Sequence, residues 1–164
     1  MKKFLLAIFA MLCVAGVSAQ DWSAGARLGS GFQAVGTYSY DGNNYFEARF
    51  GTSWLDVSLL NGLTADFTVL HNWQICTMDW TPRAGKWFFD AGVGVNVGGV
   101  ANYAYVGIAG LARLGFKFNN VPISLSVDYT PVVGPGILYA DGESYAFYRD
   151  LGFANFGVSC VFHF

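Results

Sequence analysis

After residue 20, apolar and polar side chains alternate with a period of two through nearly the whole chain, and nowhere is the apolar run unbroken. A period of two is the signature of β-strands with two unlike faces. Along residues 45–54, Phe46, Ala48, Phe50, Thr52 and Trp54 oppose Tyr45, Glu47, Arg49, Gly51 and Ser53. Along 87–97, Trp87, Phe89, Ala91, Val93, Val95 and Val97 oppose Phe88, Asp90, Gly92, Gly94 and Asn96. The split recurs along 104–118, where Val106, Ile108, Ala112, Leu114, Phe116 and Phe118 oppose Tyr105, Gly107, Ala109, Arg113, Gly115 and Lys117. Residues 123–130 and 153–164 repeat it, the latter with Phe156, Val158, Cys160, Phe162 and Phe164 on the apolar side. Residues 22–29 and 32–40 follow the same rule, as do 63–80, where His71 falls among the apolar residues.

Turn-forming clusters punctuate these segments. Asp41-Gly42-Asn43-Asn44, Thr81-Pro82-Arg83-Ala84-Gly85 and Asn119-Asn120-Val121-Pro122 are short, and Ser30-Gly31, 56–62, 98–103 and 132–149 lie between them. Counting them gives eight strands, with the three short clusters at one end. At Ser30-Gly31 the alternative is a bend within one long strand, which leaves seven.

The N-terminus has a different character. Lys2 and Lys3 precede an apolar stretch at 4–15 and then Val17-Ser18-Ala19, the pattern of a cleaved signal peptide. The expected division is a signal peptide at 1–19 and one β domain at 20–164, with cleavage before Gln20. The apolar stretch is short of the ~20 residues a spanning helix needs. Cys13 does not make a lipoprotein site, because the bulky Met11-Leu12 precedes it.

Composition decides which way the apolar faces point. Hydrophobic residues make up 54% of the chain and aromatics 18%, yet charged residues only 12%, about half the share in a typical soluble domain. A soluble eight-stranded fold would have to pack Trp22, Tyr38, Tyr40, Trp87, Phe89, Phe116, Phe118 and Phe162 into one narrow core. Turned outward, they gather at the strand ends beside the short turns as an aromatic girdle, with Trp54 and Tyr129 marking the other interface. The expected fold is therefore an all-β, eight-stranded antiparallel up-and-down transmembrane β-barrel with charged residues enclosed. Seven cations against eleven carboxylates after cleavage give no reason to expect nucleic acid.

The last residues, Phe162-His163-Phe164, resemble the terminal signal by which outer-membrane barrels reach their assembly machinery, with Ser159 where that signal often has glycine. Together with Tyr45 to Gly51, Trp87-Phe88-Phe89-Asp90-Ala91-Gly92-Val93-Gly94 and Pro122 to Pro131, they make the chain similar to small Gram-negative outer-membrane barrels. These are proteins of the OmpX and OmpA-transmembrane type, within the outer membrane protein β-barrel domain family. The resemblance implies residence in the bacterial outer membrane and contact with its lipid and lipopolysaccharide. It also implies handling by periplasmic chaperones and the barrel-assembly machinery, with Phe162 and Phe164 as the assembly signal.

Collected from the polar faces, Arg27, Arg49, Arg113 and Lys117 confront Glu47, Asp66, Asp90 and Asp128. An eight-stranded barrel is only wide enough for side chains to fill, so these eight are expected to pair as an ionic plug. Glu47, Asp90, Arg113 and Lys117 are expected toward the short-turn half, with Arg27, Arg49 and Asp128 nearer the middle. Gly92-Val93-Gly94 is explained by small residues facing bulky ones rather than by a dinucleotide, since no helix follows. His71 and His163 point to opposite sides of the wall and do not make a metal site. Cys76, expected inward, and Cys160, expected outward, lie on opposite strands and form no disulfide. No cofactor is expected.

The role expected is structural or surface-interacting, without enzymatic activity. The outer loops, chiefly 132–149 with Tyr139, Asp141, Glu143, Tyr145 and Tyr148, suit contact with glycans or proteins. The alternatives are a narrow porin-like channel for small solutes and a lipid A-modifying enzyme. The enzyme would need a Ser, a His and an acid converging, whereas His163 has Ser159 as its nearest inward hydroxyl on the same strand and no evident acid.

Overall fold

The computed structural model describes residues 21–53, 64–100, 103–140, 143–150 and 154–164. The expected signal peptide at 1–19, the cleavage residue Gln20, the interface residue Trp54 and the outer loop at 56–62 lie outside them. Ten strands appear in chain order: β1 (Trp22–Leu28), β2 (Gly31–Ser39), β3 (Asn44–Ser53), β4 (Thr64–Met78), β5 (Gly85–Val100), β6 (Tyr103–Phe118), β7 (Ile123–Tyr129), β8 (Val132–Ala140), β9 (Glu143–Asp150) and β10 (Phe156–His163).

Eight of them close a barrel, with β1 to β7 paired in sequence and β10 seated between β7 and β1. A circuit of paired residues shows the closure. It runs from Leu114 through Val127, Val158, Leu28, Phe32, Thr52, Ala65 and Gly99, and re-enters β6 at Ala104. The return point is displaced along the same strand from Leu114 to Ala104, and such stagger accompanies a strand tilt of about 35–45°. Ser30 marks a true reversal, because β1 and β2 pair antiparallel from Trp22↔Tyr38 to Leu28↔Phe32. The even strand count follows from that pairing.

Local chemistry sets the short turns. In the β2–β3 turn Asp41 Oδ1 accepts from the backbone N–H of Asn43 (3.0 Å) and Asn44 (2.6 Å), and Gly42 takes the positive φ of 81° that glycine tolerates. Thr81 carbonyl accepts from Ala84 and Gly85 to turn β4 into β5.

Two regions depart from the alternation read in the sequence. Of residues 132–149, expected as a loop, 132–140 and 143–149 instead lie in the paired strands β8 and β9, with β8 continuing the line of β7 past Pro131 and pairing with the upper part of β6, while Asp141 lies outside the described residues. Gly110 N–H donates to Pro131 carbonyl across this junction (2.9 Å). Further along, Tyr105 pairs with Gly136 and Ile108 with Val133, so the ladder lapses where Pro135 has no N–H to give. The wall thus rises higher at β5 to β9 than at β1 and β2.

The second departure is a register shift between Gln74 and Cys76, a β-bulge against Asp90 and Phe89 of β5. One extra residue reverses the facing beyond it. Cys76, expected inward, is therefore exposed on the outer surface, as is Cys160, and both thiols are free.

Elsewhere the two faces separate as expected. Phe50 (63% exposed), Ile108 (67%) and Val95 (54%) stand on the outer surface, while Arg27 and Glu47 inside are fully buried. Aromatic rings ring the short-turn end outside: Trp22 meets Tyr38 at 4.8 Å, Trp87 meets Phe116 at 5.1 Å, Phe116 meets Phe118 at 4.9 Å, and Phe162 meets Phe164 at 5.3 Å. Phe89 shares that outer face, and Tyr40 joins Phe46 and His71 there, its hydroxyl sharing a 2.7 Å hydrogen bond with His71 Nε2. His71 is thereby tied into an aromatic cluster rather than left as a bare polar group on an apolar surface.

Candidate functional site

Through its middle and upper parts the barrel interior is filled by side chains that the strand registers bring together. At its centre Glu47 receives two arginines. Arg113 grips it through both terminal nitrogens, at 2.7 Å each, and Arg49 Nε reaches Oε1 at 2.5 Å. Arg49 Nη1 lies 3.5 Å from Asp128 and donates to Thr130 Oγ1 at 3.1 Å, so it links two carboxylates. Arg27 closes the series on Asp128, with Nε and Nη2 at 2.8–3.0 Å. Thr130 and Ser159 hydroxyls donate to the same carboxylate, and Asn72 Nδ2 donates to Glu47.

Dry ions are costly unless paired and fully hydrogen-bonded, and here each of the two central carboxylates faces two guanidinium groups. Glycines make the room. A Cβ on Gly157 would come within 2.5 Å of the Arg27 guanidinium carbon, and one on Gly115 within 2.1 Å of the Phe88 ring.

Above this cluster the chemistry changes. Asp66 is buried with neutral donors only: Gln33 Nε2 (2.5 Å), Asn96 Nδ2 (2.7 Å), Tyr105 hydroxyl (2.9 Å) and, more loosely, Thr68 Oγ1 (3.4 Å). Gln33 joins the two levels, since its Oε1 accepts from Arg27 Nη1 at 3.2 Å. Beside the polar column, Leu70, Ala109, Leu111 and Val132 form a buried apolar wall.

Below it, at the short-turn end, the interior opens into a cup of about 360 Å³. Asp90, Arg113, Tyr45 and Ser126 are among its lining residues, with Asp21, Ser39, Lys117 and His163 toward the rim. Tyr45 hydroxyl donates to Asp90 Oδ2 (2.5 Å) and accepts from Arg113 Nη1 (3.1 Å). His163 straps the closing strands together, Nδ1 against Ser23 Oγ at 2.8 Å and Nε2 against Ser124 Oγ at 3.0 Å.

Of the eight charged residues gathered from the sequence, Arg27, Glu47, Arg49, Arg113 and Asp128 form one ion-paired cluster. Asp66 and Asp90 attach to it through Gln33 and Tyr45. Lys117 does not join: it is exposed at the rim, and among the described residues no carboxylate lies within ion-pair distance of it. It stands near the turn, opposite Lys86, beyond the reach of the central carboxylates. The neutral links, Gln33, Tyr45, Thr130 and Tyr105, carry no charge signal in the sequence; inward parity together with polarity is the trace that would have found them. Ser159, the hydroxyl considered beside His163, donates to Asp128 instead, and His163 uses serines of β1 and β7.

The fold and site define a closed eight-stranded antiparallel barrel with an outward apolar surface and a hydrogen-bonded ionic interior. No family model, no curated protein and no solved structure matches this chain.

Proposed function

We propose that this protein is an integral outer-membrane barrel of a Gram-negative bacterium, similar in kind to the OmpX and OmpA-transmembrane type. It is exported by the peptide at 1–19 and delivered for assembly through Phe162 and Phe164. Its role is structural or surface-interacting rather than catalytic, with lipid and lipopolysaccharide around the wall and the β8–β9 hairpin standing at the outer end. Glycan or protein partners would be met there.

The observation that carries this reading is the inversion of the two faces. Large apolar side chains such as Phe50, Val95, Ile108 and Val158 are exposed in a continuous band, while the charges are inside. Monomers in water rarely leave contiguous apolar patches of that extent, and lipid removes the cost. The packed lumen favours a plugged barrel over a conduit.

Val93→Arg tests the facing. Arginine on a lipid-exposed strand position near the midplane costs ~2–4 kcal/mol, so the variant folded into vesicles should lose that much in denaturant unfolding while Met78→Arg, opposite the outer-face Trp87 at the strand end, loses less. Equal tolerance of the two, or a mature chain that folds as a monomer in detergent-free buffer, overturns the reading. Steady single-channel openings in planar bilayers would replace the plug with a pore, and release of fatty acid from labelled lipopolysaccharide would replace it with an enzyme.

A further inference from the structure

At the short-turn end, β5 and β6 set two like charges side by side. Lys86 and Lys117 are direct partners in the β5–β6 ladder, and both take the lumen side, because their neighbours Trp87 and Phe116 turn outward and meet at 5.1 Å. Cβ atoms of directly opposed residues stand about 4.5–5.5 Å apart, and like charges so placed destabilise the pair. Neither lysine has a carboxylate within ion-pair distance among the described residues. Both side chains are exposed, so both ammonium groups are open to a ligand.

Lys117 lines the cup of about 360 Å³ at this end, and hydroxyls make much of the wall beyond it. Ser124 is its partner in β7, and Ser23, Thr37, Ser39 and Ser126 belong to the same lining. His163 meets Ser23 with one ring nitrogen and Ser124 with the other. At most one of those nitrogens can accept, so at least one of the two serines accepts from the ring and keeps its own proton to donate. The carboxylates of the lining stand elsewhere. Asp21 adjoins β1, the fourth strand from β5 in either direction round the barrel, and Asp90 is buried with its Oδ2 held by the Tyr45 hydroxyl.

We infer that this end of the lumen binds a small phosphate monoester of a polyol, its phosphate between Lys86 and Lys117 and its hydroxyls against the serines and threonine of the cup. A phosphate monoester carries about −1.5 to −2 charges at pH 7, which answers two ammonium groups. A carboxylate brings one charge to two lysines, a neutral sugar leaves their repulsion in place, and phosphate alone leaves the hydroxyl wall unanswered. The inference rests on the ladder register and the cup and stands apart from where the barrel resides.

Glycerol 1-phosphate is the probe, titrated into the purified mature chain in a nonionic detergent and followed by calorimetry. The ester should bind, glycerate should bind about tenfold more weakly, and glycerol should not compete. Lys86→Gln and Lys117→Gln should each weaken the ester about tenfold, since each removes a charge-assisted hydrogen bond. Both lysines are exposed, so the variants leave the packed lumen undisturbed. A ligand of the folded state raises stability. The unfolding midpoint of the parent should therefore climb with the ester beyond what sodium chloride gives at equal ionic strength, while that of the double variant should not. The same titration in lipid nanodiscs with phosphatidic acid tells the source: blocked binding assigns the site to a lipid phosphate, and unchanged binding to a soluble ester. Equal binding of glycerate, undiminished binding to the double variant, competition by glycerol, or no binding of the ester at millimolar concentration would overturn the inference.

Discussion

Glu47 and Asp66 are carboxylates buried in the same lumen, on neighbouring strands, and they are stabilised in opposite ways. Glu47 is neutralised by two guanidinium groups that grip it at 2.5–2.7 Å. Asp66 keeps company with two amides and two hydroxyls and meets no cation within ion-pair distance among the described residues. The central cluster is therefore interdependent, because each arginine there needs its acid as much as the acid needs it. The upper site strands no counter-charge when its acid is lost: its donors are neutral, and Gln33 ties it to Arg27 through a hydrogen bond. Charge density explains the difference. Three arginines enter the middle of the barrel and are consumed by Glu47 and Asp128, so a carboxylate higher up has to be satisfied by dipoles.

Removing Glu47 should therefore have the largest effect. Glu47→Ala strands Arg113 in a dry interior and leaves Arg49 with only its longer contact to Asp128, and breaking a buried pair from one side costs about 3–5 kcal/mol. Urea unfolding of the barrel in lipid vesicles, read by the mobility difference between folded and unfolded forms on unheated gels, should show that loss. A loss below 1 kcal/mol would mean the cluster is hydrated and contributes as a surface ion pair does.

Asp66→Asn sharpens the contrast. The substitution abandons no counter-charge, but it turns an amide N–H₂ toward donors and leaves them unanswered, at about 1–3 kcal/mol. The same unfolding measurement should place it well below Glu47→Ala. Were the two equal, the difference between ionic and dipolar burial drawn above would not hold, and Asp66 would have to feel Arg27 through Gln33 as strongly as Glu47 feels its own arginines.

The comparison also shows where the chain could be read in advance. Parity alone put Glu47, Arg49, Asp66, Asp90, Arg113 and Asp128 on one side of the wall, because every second residue of a strand shares a face. Arg27 followed from the same rule on β1. Parity fails where one residue is added: the bulge between Gln74 and Cys76 turned Cys76 outward, and nothing in Gln74-Ile75-Cys76 announces it. The β8–β9 hairpin was hidden for another reason. Gly134-Pro135-Gly136 has the composition of a loop, yet Gly134 lies so close to β6 that a Cβ there would meet Val106 carbonyl oxygen at 2.0 Å, and the missing N–H of Pro135 falls in a gap of the ladder. Which acid takes ions and which takes dipoles depends on strand registers set by residues far apart in the chain, and no local pattern records it.

A third carboxylate, Asp41, carries the comparison to the solvent, and the smallest effect is expected there. It sits in the β2–β3 turn, fully exposed, and bonds to Asn44 side chain and to the backbone N–H of Asn43 and Asn44. These bonds, the Asn44 side chain foremost, hold its pKa below the ordinary 3.8 against an opposing partial desolvation. A group whose pKa falls on folding stabilises the fold above its unfolded pKa. That contribution should be present at neutral pH and should fade as pH drops below the ordinary carboxylate value toward the lower folded one. Asp41→Asn keeps an acceptor oxygen for the turn and removes the titration, so it should lower the unfolding midpoint slightly at pH 7 and converge with the parent under acid conditions. A gap between the two chains that persists undiminished into strong acid would assign the Asp41 contribution to turn geometry rather than to charge. The graded series from ions through dipoles to water would then end at Asp66.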